Sequence, residues 1–504
     1  MLLVTALGWP SVSSADARQE DAVAAVRAFR QQHAAEILED FAALLAMPNV
    51  ARDLDDVRAN AEHIRDSLAR RGVAARLLEI DGAPPVVFGE LRVPGAERTL
   101  AIYVHYDGQP VDATQWSQPP WQPTLATAAF EAGGTVRPMP KLGEAVDPEW
   151  RLYGRSAGDD KAPIPAILAA LDGLEAAGLM PRSNLKFFLE GEEEAGSPHL
   201  EEYIEKYREL LSADLWLICD GPVHQSGAPQ LVFGVRGYTG FDLTTYGANR
   251  YLHSGHYGNW APNPALELAQ VLAGMKDGAG NVVIEGFYDS TAPITDADRA
   301  AIAGLPDYDE TLRHELGLAA TEGGGAPLLE RLLVPSLNIR GMASGAVGDA
   351  ARNVIPTEAT ATLDIRLAKG NDPAGMLDRV EAHLEGRGYH VVHEPPDATT
   401  RGTYLRLVYM VRKEGYPAAR TAMDEPAVTP VIAAAELAAG RKPLLVPTLG
   451  GSLPLYLFVR DLGAPLVIVP IANYDDNQHG PDENLRLGNL WYGIDLMGAV
   501  FSMP

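Results

Sequence analysis

Leu185–Lys186–Phe187–Phe188–Leu189 runs directly into Glu190–Gly191–Glu192–Glu193–Glu194–Ala195–Gly196–Ser197. The apolar run has the length of a buried strand, and four carboxylates follow it within five residues. Carboxylates so crowded repel one another unless solvent or a cation stands between them. Leu100–Val104, Leu215–Cys219 and Pro465–Pro470 are further short apolar runs, with helical patterns such as Pro163–Ala177 and Val431–Ala439 between them. That alternation predicts an α/β domain with a mixed, largely parallel sheet flanked by helices.

Outward from this core, Val23, Val26, Phe29, Ile37, Phe41 and Leu44 fall near helical spacing and predict one long helix over residues 20–47. A second helix is expected over Asp55–Arg71. From about Gly237 the texture changes. Gly240–Tyr246, Ser336–Ile339 and Ala359–Leu367 read as alternating strands, Pro262–Lys276 and Pro373–Glu385 as helices on one side of them. Gly323–Gly325 and Pro395–Thr403 read as loops. The expected organisation is a flexible N-terminus or signal remnant over 1–19, an α/β domain over 20–236 and 396–504, and an inserted α+β domain over 237–395.

The 504 residues, 46% of them hydrophobic, suffice for more than one core. Lys and Arg number 41 against 67 Asp and Glu, a net charge of −26, which argues against nucleic acid or an anionic membrane as partner. Cys219 is the single cysteine, so neither an internal disulfide framework nor a thiolate metal cluster is available. No apolar stretch approaches the roughly 18 residues of a membrane-spanning helix. Leu2–Trp9 followed by Ala15–Asp16–Ala17 resembles a shortened export signal without its basic start. A periplasmic or secreted location is expected if residues 1–17 are such a remnant, and a cytoplasmic one otherwise.

Five segments gather potential metal ligands, and four of them follow a predicted strand. They are Val104–His105–Tyr106–Asp107, Gly154–Arg155–Ser156–Ala157–Gly158–Asp159–Asp160–Lys161, Glu190–Ser197, Cys219–Asp220–Gly221 and Asn473–Asn484. Each has a plainer reading when taken singly: a surface pair for His105 and Asp107, a helix cap for Asp159–Asp160, a solvated acidic loop, or turn chemistry. Together they suggest a site, because open α/β sheets place ligands at the carboxyl ends of their strands.

The ordered series, with Leu252–His253–Ser254–Gly255, Asn353–Val354–Ile355–Pro356, Asp364–Ile365–Arg366–Leu367 and Gly450–Gly451–Ser452, resembles the zinc exopeptidase family of carnosinases, aminoacylases and glutamate carboxypeptidases. The likeness runs from about residue 100 to the C-terminus and is greatest to the carnosinase-like dipeptidases. It implies two divalent metal ions per chain, zinc in the first place, with manganese or cobalt as alternatives. Asp159 would bridge them, Glu194 and His479 completing one site, His105 and Asp220 the other. Asp107 would support His105, and Glu193 would be the general base, taking a proton from a metal-activated water to give hydroxide. Asp159–Asp160 corresponds to a cis peptide bond in the family. The inserted domain would be a lid and dimerisation domain, with His253 reaching the neighbouring subunit's site in a homodimer. Arg366, Asn353 and Ser452 would bind substrate, Arg366 as a fork for a free carboxylate.

The implied reaction is hydrolysis of the amide bond of dipeptides or of the C-terminal residue of short peptides. An N-acyl amino acid amidohydrolase with the same machinery is the alternative, and a non-catalytic binding protein on the same fold is a third reading. Ser156 and Ala162 stand where the family usually has glycine, and Thr448–Leu449 where carnosinase-like members carry charge. None of these departures touches a ligand, so they bear on substrate preference more than on hydrolysis.

Overall fold

The computed structural model describes residues 14–451 and 453–504; the Leu2–Trp9 run and Ser452 lie outside the described residues. The chain divides into two compact units. One comprises the chain up to Phe233 with Thr421–Val446 and Leu457–Pro504; the other is Gly234–Arg420 with Pro447–Tyr456.

The first unit is built on an eight-stranded sheet in the order Ala74–Leu78, Val86–Leu91, Asn184–Glu190, Thr99–His105, Leu215–Ile218, Leu466–Ile468, Gln230–Val232, Leu444–Val446. Thr99–His105 runs parallel to both its neighbours, and Leu466–Ile468 runs parallel to Leu215–Ile218. Antiparallel pairing returns at Val86–Leu91 and Ala74–Leu78. All four expected strands are present within a residue or two, and the sheet is mixed with a parallel centre. Leu215–Ile218 is buried at every position, as befits a central strand covered on both faces. A small antiparallel sheet sets Arg151–Tyr153 between Thr124–Ala126 and Asn484–Arg486.

Helices Pro163–Ala176 and Thr429–Ala439 match expectation, each with a proline in the first turn, where its missing N–H costs nothing. The helix expected over 20–47 is two helices, Ser14–Gln32 and Ala34–Leu45. They part at His33, whose φ of −111° leaves the helical region while its ring stacks on Phe29. No helix among the described residues is long and apolar enough to cross a membrane.

The second unit has a five-stranded sheet in the order Ser336–Ala343, Glu358–Leu367, Gly237–Tyr246, Leu407–Arg412, His390–Val392. Helices Pro264–Ala273 and Pro373–Gly386 contribute Leu268, Val271, Leu377 and Val380 to one core with Phe241, Leu243, Leu363 and Ile365 of the strands. The expected end of the insertion at residue 395 is too early. Leu407–Arg412 pairs with Gly237–Tyr246, so the chain stays in this unit as far as Arg420, and Pro447–Tyr456 rejoins it. The expected loop at 395–403 holds a short helix, Ala398–Thr403, capped by Asp397, whose carboxylate accepts the Thr400 N–H.

In the first unit, helices Ser14–Gln32, Pro163–Ala176 and Leu487–Phe501 meet at Val26. A Cβ on Gly498 would lie 3.0 Å from Val26 Cγ2, and one on Gly173 would lie 3.0 Å from Val26 Cα. A larger residue there must push helices apart. Gly498→Val is expected to cost about 1–3 kcal/mol through overpacking, read as a lower urea midpoint at unchanged m-value.

Candidate metal centre

Parallel pairing aligns the carboxyl ends of four neighbouring strands, and chemistry-bearing residues follow each of them. Thr99–His105 ends on His105; Asn184–Glu190 leads into Glu193 and Glu194; Leu215–Ile218 leads to Asp220; Leu466–Ile468 leads to the Asn473–His479 loop. Asp159 and Asp160 arrive separately, on the turn between Arg151–Tyr153 and helix Pro163–Ala176, and the peptide joining them is cis.

Asp159 sits between the two histidines. Its Oδ1 lies 2.9 Å from His105 Nε2, and its Oδ2 lies 3.0 Å from His479 Nε2. His479 Nε2 is also 3.2 Å from Glu194 Oε2. Two groups of donor atoms result, His105 with Asp160 and Asp220, and Asp159 with Glu194 and His479, each within 4.8 Å of one another. Imidazole nitrogen and carboxylate oxygen suit zinc, manganese or cobalt, so the residues fit a pair of divalent cations. Asp160, which the sequence reading gave no role, joins the His105 group, and its Oδ2 accepts the His105 backbone N–H at 3.2 Å. The visible signal was the doubled Asp159–Asp160 pair.

Asp107 is fully buried and does two things. Its Oδ1 lies 3.5 Å from His105 Nδ1, and its two oxygens accept the backbone N–H groups of Glu193 and Glu194, each at 3.1 Å. One carboxylate thus lies beside an imidazole and holds the turn that carries Glu193. Glu193 Oε2 stands 4.0 Å from His105 Nε2, and Glu193 belongs to neither donor group. Two amides complete the surroundings, Gln109 donating to Glu194 Oε2 at 2.8 Å and Gln478 to Asp159 Oδ2 at 2.6 Å.

Electrostatics match the crowding. Burial, reinforced by Asp220, Glu190 and Glu194, pushes the Glu193 carboxyl up to about 8. Burial and Asp159 raise Glu194 to about 7, and burial raises Asp220 to about 6. Burial also opposes ionisation of Asp159, yet its hydrogen bonds with His105 and His479 hold it below the ordinary carboxylate range. The hydrogen bond to Asp159 lifts His479 to about 9. Carboxylates that resist ionisation together in a water-poor pocket are stabilised by a dication, which restores their charged forms.

His253, Asn353 and Arg366 belong to the second unit. His253 pairs with Val354 in a two-stranded ribbon, and Asn353 flanks it, its carbonyl accepting the Ser254 N–H at 3.0 Å. Both are exposed, and His253 Nδ1 accepts the Gly255 N–H. Arg366 is half-buried, its Nε 3.4 Å from Asp364 and its guanidinium 5.4 Å from the Tyr238 ring centre.

The sequence profile of peptidase family M20/M25/M40 matches residues 101–502. The chain belongs to this family. The Cys-Gly metallodipeptidase DUG1 of Saccharomyces cerevisiae is 25% identical to this M20 peptidase over 422 residues, 82% of this chain and 81% of its own. The human Beta-Ala-His dipeptidase is 26% identical over 426 residues, 83% of this chain and 77% of its own. Among solved structures, an M20 family metallo-carboxypeptidase from Sulfolobus solfataricus superposes on 93% of this M20 peptidase and 99% of its own chain, with a TM-score of 0.69 and 27% identity.

Because Asp159 turns one oxygen toward each histidine, Asp159→Asn is expected to reduce the binding of both ions. Asp220→Asn, confined to the His105 group, is expected to weaken mainly one. Metal analysis of the equilibrated variants checks this; equal losses in the two would contradict the shared role of Asp159.

Proposed function

We propose that this M20 peptidase hydrolyses the amide bond of dipeptides, or of the C-terminal residue of short peptides, at a dinuclear centre of divalent ions, zinc by preference. The observation that carries the proposal is the placement of Asp159 between His105 and His479, with Glu193 beside them and outside both donor groups. Asp159 would serve both ions, Glu194 and His479 would hold one, and His105 and Asp220 would hold the other, with Asp160 within reach of the latter. Bound ions supply a water of lowered pKa and polarise the scissile carbonyl.

Glu193 accepts the water's proton and returns it to the leaving amine. Its position supports that role, since Asp107 fixes its backbone and 16% of its side chain remains exposed. Arg366 and Asn353, with Ser452, recognise the substrate's free carboxylate end, and His253 stabilises the oxyanion of the neighbouring subunit's site in a homodimer. The names of the relatives, a Cys-Gly and a Beta-Ala-His dipeptidase, support a small dipeptide as substrate.

A panel of dipeptides set against N-acetyl amino acids tests the reaction: hydrolysis of the dipeptides is expected, and cleavage of the acetylated compounds alone would make the enzyme a deacylase. Chelation is expected to abolish activity, with zinc, manganese or cobalt restoring it. Glu193→Gln is expected to lose about 10²–10⁴-fold in kcat while retaining metal. Near-normal turnover by that variant would move the base elsewhere.

His253→Ala and Glu193→Ala chains are each expected to be nearly inactive. Mixed and reassociated, about half of the dimers are hybrid, and one of the two sites in each hybrid keeps both residues. Roughly a quarter of wild-type activity is then expected in a two-fold dimer. If hybrids form and the mixture stays inactive, His253 does not act across subunits.

A further inference from the structure

We propose that Glu483 is a positioning residue whose buried carboxylate locks the Asp159 loop to the His479 loop and thereby sets the spacing of the metal ligands. The inference rests on the dinuclear reading above. Glu483 has no exposed surface. Its Oε1 accepts the N–H groups of Gly158 and Asp159, each at 2.9 Å. Its Oε2 accepts the Ser156 N–H at 2.9 Å and the Arg155 guanidinium at 2.7 Å. Four donors from the stretch 155–159 therefore converge on one side chain, in the manner of a backbone nest around an anion. No ion is required to fill that nest, because Glu483 fills it from a segment more than 320 residues away.

The same contacts fix the second loop. Arg155 also donates to the Gly480 carbonyl at 3.0 Å, next to His479, and the Gly154 N–H donates to the Glu483 carbonyl at 3.0 Å. Asn484 N–H closes the turn onto the Asp476 carbonyl at 2.8 Å. Within that turn Asn477, His479 and Asp482 all have left-handed backbone, with φ between 58° and 62°. Non-glycine residues keep such conformations only where the surroundings over-determine them. On its other side the Asp159 loop touches Asp476 so closely that a Cβ on Gly158 would lie 2.7 Å from Asp476 Oδ2. Asp159 and His479 owe their 3.0 Å approach to this clamp. Ligands held in advance bind an ion without first being ordered, so the clamp acts on affinity.

Glu483→Gln preserves size but turns an amide N–H₂ toward donors. It is expected to weaken zinc binding by about 10–100-fold, the range found for groups that orient metal ligands from outside, in competition with a chromophoric chelator. Gly158→Ala, which leaves Glu483 in place and displaces the loop it holds, is expected to weaken zinc in the same direction. Asp495→Asn is the control: it removes another buried carboxylate, bonded to Arg27 and Arg30, on a helix that carries no ligand. That variant is expected to lose thermal stability and keep wild-type zinc affinity. Wild-type affinity in Glu483→Gln, or an affinity loss in Asp495→Asn as large as that in Glu483→Gln, would overturn the positioning role. If wild-type protein bound no divalent ion at all, the dinuclear reading would fall and this role with it, a result the same titration distinguishes.

Discussion

Parallel hydrogen bonding of Thr99–His105 to Asn184–Glu190 on one side and Leu215–Ile218 on the other is the constraint on which the centre rests. A parallel pair points both carboxyl ends the same way, so side chains beyond those ends must share one rim. His105 is paired with Glu190 in register, and three residues further Glu193 begins the turn gripped by Asp107. Had Asn184–Glu190 run antiparallel, the histidine and the acidic cluster would lie at opposite edges of the sheet. Thr99–His105 is buried on both faces, so a shift by one residue would exchange side chains of different size between two close-packed layers.

Charge then works within that frame. A chain with an excess of 26 acidic groups concentrates several of them where water is scarce. Asp107, Asp159, Asp160, Asp220, Glu193 and Glu194 surround two imidazoles, and burial, with repulsion from neighbouring carboxylates, makes Glu193, Glu194 and Asp220 resist ionisation. Structural ion pairs elsewhere in the same unit are differently made: Asp495 faces both Arg27 and Arg30. The rim carries carboxylates in excess of local cations.

Local pattern made much of this readable. Strands such as Leu185–Leu189 announce themselves as uninterrupted apolar runs, and His105, Asp159, Glu194, Asp220 and His479 stand in short segments at or near their ends. Most of the features that escaped are decided by partners remote in sequence. Leu407–Arg412 has apolar residues enough for a strand, but only its pairing with Gly237–Tyr246 assigns it to the second unit. The parting of two helices at His33 has no proline or glycine to mark it. Asp160 and Glu483 were visible as acids beside acids; what distinguishes them is the backbone they grip, His105 in one case and Ser156, Gly158 and Asp159 in the other. Hydrogen bonds of that kind leave no periodicity behind.

Strand Leu466–Ile468 lies inside the sheet, between Leu215–Ile218 and Gln230–Val232, although it is the last of the eight in the chain. During synthesis, at roughly 5–20 residues per second, tens of seconds separate the emergence of His105 from that of His479. From the emergence of Leu215–Ile218 until that of Leu466–Ile468 the nascent chain carries an open edge on Leu215–Ile218, a template for any stray strand. The gap cannot close before Leu466–Ile468 is made, so products truncated ahead of that strand would lack the centre and expose the sticky edge as well.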